Sequence, residues 1–182
     1  MMLPEIRVLI ERAEMRRAAL EGLLEAVPGD YWDRRAPEDE WSAVEHLRHV
    51  ATVDDLLVSL LREVESGLDE VWLAGGAPSG DDRIAAMRSV EGLSVEELAG
   101  RMRGARQRAA RQVGRLGQVA LETAVIMPGA VDAWGMPVRW PLRRYLVAWV
   151  EHDDVHGTAI RRAISTPPDL STIMVTQRRP GA

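Results

Sequence analysis

Cysteine, lysine and phenylalanine are all absent from this chain of 182 residues. Without cysteine there is no disulfide, no thiolate nucleophile and no thiolate-held zinc, so any metal must be bound by His, Asp or Glu. Aromatic residues are scarce, six Trp and two Tyr. The core must therefore come mainly from Leu, Val, Ile, Ala and Met, which suit helix packing at least as well as sheet packing. No stretch approaches the ~20 apolar residues that cross a bilayer. The start, Met1-Met2-Leu3-Pro4-Glu5, lacks the apolar run of a secretion signal. The expectation is a cytoplasmic protein with no membrane partner.

What is present is a chain of one-domain length with 46% apolar residues, too many for a disordered polymer. Its net charge is −5 and its pI about 5.4, which argues against nucleic acid as a partner, since phosphate backbones select basic surfaces. All 23 cationic side chains are Arg. This fits the codon bias of a GC-rich genome, while some guanidinium groups can grip carboxylates or phosphates with two prongs.

Four segments carry helical periodicity. The first spans about 4–27, with Ile6, Leu9, Ile10, Ala13, Leu20, Leu23, Leu24 and Val27 at three-and-four spacing, Pro4 in its first turn and Pro28-Gly29 as its stop. The second runs over about 42–66, opened by Ser42 and Glu45 as a capping box and closed by Gly67. The third, about 94–116, opens with a second box, Ser94 and Glu97, and a minor helix is expected near 81–90. The fourth covers about 141–164, ending before Thr166-Pro167-Pro168. Residues 117–140 read as a long connection, and long connections in compact domains tend to be functional. The tail, 165–182, contains a β-prone run from Ser171 to Thr176. The expected architecture is all-α, a single four-helix bundle occupying 1–182, and the competing picture is a helical array without a central site.

The four histidines fall in two tight groups, His46 and His49 in the second helix and His152 and His156 in the fourth. His152 and His156 are four residues apart and share one helix face, within the stripe Leu142, Tyr145, Trp149, Ala159 and Ala163. His46 and His49 lie on a similar stripe with Val53, Leu56 and Leu60. A lone inward histidine is ordinarily a hydrogen-bonded core residue. Several together are harder to satisfy, because a buried imidazole without a partner costs about 1–3 kcal/mol. A divalent ion takes up the neutral ring nitrogens at once, and bundles build such sites from facing helices. The segment His152-Asp153-Asp154-Val155-His156 is similar to the His-Glu-x-x-His of zinc proteases. However, Asp153 is a shorter base than Glu and no histidine follows His156.

Trp41-Ser42-Ala43-Val44-Glu45-His46-Leu47-Arg48-His49, followed by Asp54, resembles the second-helix signature of the DinB/YfiT-like superfamily. Glu151-His152-Asp153-Asp154-Val155-His156-Gly157 resembles its last-helix motif. The resemblance covers nearly the whole chain. It implies a four-helix bundle of DinB-like type in which His49, rather than His46, joins His152 and His156 around zinc, nickel or iron. It also implies kinship with S-transferases and isomerases that use a low-molecular-weight thiol (bacillithiol or mycothiol), a small-molecule substrate, and a homodimer.

An ion on three neutral histidines keeps open positions, where it can activate a thiol for transfer or water for hydrolysis. Asp153 and Asp54 are candidates to orient a ligand or to act as a base, although a solvated helix-face carboxylate is the ordinary state of such residues. His46 is a candidate for the surroundings of the site. Trp134, Arg139 and Trp140, in the connection leading into the ligand-bearing helix, are candidates for the pocket mouth, with stacking surfaces and a carboxylate-binding guanidinium. The leading expectation is a thiol-dependent transferase. Against it stand a metal-dependent hydrolase, a non-catalytic metal-binding bundle and a metal-free interaction module.

Overall fold

The computed structural model describes residues 2–73 and 81–167. The Ser171–Thr176 run and the Gly75–Gly80 loop lie outside them. Four long helices make the body: α1 (Pro4–Ala26), α2 (Ala43–Glu65), α4 (Val95–Val113) and α5 (Leu142–Ser165), with a short α3 (Asp81–Arg88) between the second and third. Both expected capping boxes form: the Ser42 hydroxyl accepts the Glu45 N–H and the Ser94 hydroxyl accepts the Glu97 N–H, with each glutamate returning to its serine's N–H. The helix after Ser94 stops at Val113 and not at Leu116, because Gly114 caps it and the chain turns there.

Ion pairs between Arg12 and Glu151 and between Arg17 and Asp153 show that α1 runs parallel to α5. The pairing of His46 with His156 and of His49 with His152 sets α2 antiparallel to α5. All histidines therefore gather at one end of the bundle, and the end of α2 and start of α5 meet at the other.

That second end carries a correction to the all-α expectation. Residues 117–140 are not an open connection: β2 (Ala124–Val131) and β3 (Pro137–Pro141) form an antiparallel hairpin, and β1 (Glu70–Trp72) pairs parallel to β2, in the order β1-β2-β3. The hairpin turn is tightened by Asp132, whose Oδ1 accepts the N–H groups of Trp134 and Met136 at 2.9 Å. Gly135 takes a φ of 77° there, a region that disfavours a Cβ.

The apolar core is divided in two. One cluster, at the sheet end, joins Ile6, Ala13, Leu57, Leu61, Ala109, Val113, Leu146 and Trp149; the other, at the histidine end, joins Leu20, Leu24, Leu47, Val50, Leu98, Met102 and Ile160. Between them each long helix contributes one charged residue: Arg17 from α1, Asp54 from α2, Arg106 from α4 and Asp153 from α5, all at most 3% exposed.

Candidate metal centre

His49 lies within α2, held inward because the apolar face of that helix packs on α4 and α5. His152 and His156 stand one turn apart on α5, half-buried at the edge of its core face, so the cluster borders solvent and is not sealed inside. His49 Nε2 is 3.0 Å from His152 Nε2, and the three residues can each offer one nitrogen such that all lie within 4.8 Å of one another. A tetrahedral ion at about 2.0–2.1 Å from each nitrogen holds its ligands roughly 3.3 Å apart. A small closing movement of side chains fits the cluster to such an ion. The donor set, three imidazoles and no carboxylate, suits zinc, nickel or iron better than magnesium or calcium.

His46 belongs to the same cluster by a different contact. Its Nδ1 is 3.0 Å from His156 Nδ1, and its Nε2 is 2.9 Å from Asp39 Oδ2. Asp39 is fixed in turn by the Trp41 N–H, 3.1 Å from Oδ1. That backbone bond, helped by His46, holds the Asp39 carboxyl below the ordinary aspartate value, so it is an acceptor at neutral pH. The Trp41 indole packs on His49 and His46, at centroid distances of 5.1 and 5.3 Å, and stacks on His156 at 6.1 Å. Neither Asp39 nor the roofing role of Trp41 is read from the sequence. The signal for Asp39 is weak, a carboxylate seven residues before His46 in a polar connection.

Asp54 and Asp153 are not solvated helix-face carboxylates, and this corrects the ordinary expectation for them. Arg17 donates to Asp54 at 3.0 Å and to both oxygens of Asp153 at 2.8 and 3.1 Å. Arg106 donates to Asp54 at 3.2 Å and to Asp153 at 2.9 Å. Trp149 Nε1 donates to the other Asp54 oxygen at 2.7 Å. Burial disfavours the Arg17 charge, but the Asp153 and Asp54 carboxylates outweigh it and raise its pKa, whereas for Arg106 burial prevails and lowers it. A sequence signal for this layer does exist: Arg17 and Arg106 sit on apolar stripes at positions where a solvated residue has no place.

The residues expected at a pocket mouth stand elsewhere. Arg139 pairs with Glu70 at 2.7 Å, Trp140 carries the Arg144 guanidinium 4.3 Å from its ring centroid, and Trp134 is 85% exposed on the hairpin turn. From Leu142, just after Trp140, ten residues of helix intervene before His152, about 15 Å. The structure does not bring Arg139 and Trp140 to the histidines.

The fold has relatives. Among solved structures, the mycothiol-dependent maleylpyruvate isomerase matches with a TM-score of 0.65 at 17% identity, covering 96% of this chain and 67% of that one. A histidine-to-alanine variant of that isomerase matches with a TM-score of 0.65 at 14% identity, covering 87% of this chain and 61% of that one. The chain thus spans roughly three fifths to two thirds of the isomerase length. The sibling lethal factor precursor DfsB matches with a TM-score of 0.66 at 18% identity, covering 98% of this chain and 99% of that one. No curated protein matches. Among the described residues no helix is long and apolar enough to cross a membrane. The sequence profile of the DinB superfamily matches residues 12–160, which span the helical body and its histidine cluster, and this chain belongs to the DinB superfamily.

Proposed function

We propose that the protein is a metal-dependent enzyme that transfers or isomerises through a small thiol, with His49, His152 and His156 holding one divalent ion. The observation that carries this reading is the convergence of three imidazoles from two antiparallel helices at a half-buried rim. A purely structural ion would favour a closed site, whereas three protein ligands leave positions for substrate. Bound there, the ion would supply Lewis acidity that lowers the pKa of a thiol or of water.

The chain's own residues define the rest. Trp41 shields one side of the cluster from water, and the Arg–Asp layer beneath fixes the relative register of α2 and α5. Because the chain has no cysteine, a thiol nucleophile must come from a cofactor, and the likeness to a mycothiol-dependent isomerase supports that choice. The thiol class, small-molecule substrate, dimeric state and cytoplasmic location belong to this proposal.

The test is metal analysis of untagged protein followed by turnover of thiol and electrophile pairs. The expected result is about one ion per chain, lost in His49→Ala, His152→Ala and His156→Ala, with turnover abolished by a chelator and restored by added metal. Metal content unchanged in those variants would overturn the site, and an intact site with no thiol-dependent turnover would overturn the reaction.

A further inference from the structure

We infer that Asp39 and His46 are positioning residues that set the tautomer of His156, so that its Nε2 is left as the basic nitrogen. This deepens the metal reading above and rests on it.

Counting protons along the contacts leads there. A carboxylate only accepts hydrogen bonds, so the 2.9 Å contact from His46 Nε2 to Asp39 Oδ2 requires the proton on Nε2. With a single ring proton, placed on Nε2, His46 carries its lone pair on Nδ1. That atom is 3.0 Å from His156 Nδ1, so His156 must be the donor and hold its proton on Nδ1. The basic nitrogen of His156 is then Nε2, the tautomer a ligand at that atom needs. Metal-binding histidines ordinarily hand their other N–H to a carboxylate or carbonyl directly, which orients the ring and raises its basicity. Here a second imidazole stands between ring and carboxylate. The relay runs Asp39, His46, His156, from the connection preceding α2, through the first turn of α2, to α5.

A purely structural role would have Asp39 and His46 do no more than pin the 28–42 connection onto α2. Asp39 has other anchors for that: Oδ1 already accepts the Trp41 N–H, and its own N–H donates to the Ala36 carbonyl at 3.0 Å. Oδ2 is turned to His46, which is 5% exposed and ring-packed against Trp41 and His156.

The test reads tautomers in the metal-free protein. Long-range proton–nitrogen correlation spectra of ¹⁵N-labelled, chelator-treated protein at about pH 8.5, well above the ordinary imidazole pKa, report which nitrogen of each ring is protonated. Four histidines make assignment by single substitution simple. The wild type is expected to show His46 protonated at Nε2 and His156 at Nδ1. Asp39→Ala and His46→Ala should each convert His156 to a mixture, and each should weaken zinc binding about 10–100-fold in a chelator competition. The double variant should be no weaker than the worse single one. Circular dichroism of each variant checks that the helices persist, and His46→Ala removes the relay from its other side should Asp39→Ala fail to fold.

A wild-type His156 protonated at Nε2, or a tautomer and zinc affinity unmoved by both substitutions, would overturn the relay. Because the tautomer is read without metal, failure of the protein to bind any divalent ion would instead overturn the reading of the site itself.

Discussion

Arg106 is 2% exposed, lies over the Trp149 ring at 4.5 Å, and bridges two carboxylates. Its replacement by Leu keeps the volume roughly apolar but leaves Asp54 and Asp153 to share Arg17. Breaking a buried ion group from one side costs about 3–5 kcal/mol, and urea denaturation of Arg106→Leu should show a loss of that order. Glu45 offers a pH test. Its carboxyl is held below the ordinary glutamate value chiefly by the Ser42 N–H, 2.7 Å away, against the opposing effect of burial. A folded-state pKa below the unfolded one contributes stability above the ordinary value, and that contribution disappears as pH falls through the folded one. The melting temperature of the wild type should therefore drop faster than that of Glu45→Gln on acidification through the carboxyl range, with no divergence above neutrality. At this scale the histidines were legible because all four sit on apolar stripes, where an imidazole needs a partner. The pairing of Asp54 with Arg17 and Arg106 was not, since it depends on which faces of three different helices meet.

Helix α4 begins after Ser94, whose hydroxyl caps the N-terminus. Ser94→Ala should cost about 1 kcal/mol in thermal or chemical melts. The hairpin gives a contrasting case. Gly135→Val places a β-branched residue at φ 77°, a strain of order 1–3 kcal/mol. Hydrogen exchange should report faster opening of β2 and β3 in that variant while its metal content stays that of the wild type, because the sheet and the histidines occupy opposite ends. The long helices were readable within about three residues of their ends, since stripes and capping boxes are local signals. The sheet was not. β1 has three residues and pairs with a strand that begins at Ala124, and β3 is bounded by Pro137 and Pro141. Proline and short length both read as loop until a distant edge supplies the hydrogen bonds.

For the molecule as a whole, metal removal is the informative perturbation. An ion at a hundred times its Kd stabilises the folded state by about 2.7 kcal/mol. In a protein of this size each kcal/mol moves Tm by about 2–4 °C, so a chelator should lower Tm by about 5–10 °C in the wild type and hardly at all in His152→Ala. The DinB membership was legible in the chain itself, since the two histidine motifs and four helical segments occur in one order. The layer dividing the core was legible only as two arginines on apolar stripes, without their partners, and it has a consequence for assembly. It works as a parity check: two positive and two negative charges stand one per long helix, so the loss of any single helix leaves the set unbalanced. Any three-helix subset would enclose one uncompensated charge, and a one-turn slip of any helix would misalign the set. Three-helix pieces are thereby disfavoured, so a fragment ending before Leu142 should not fold alone and should recover its helical signal only when the α5 segment is added.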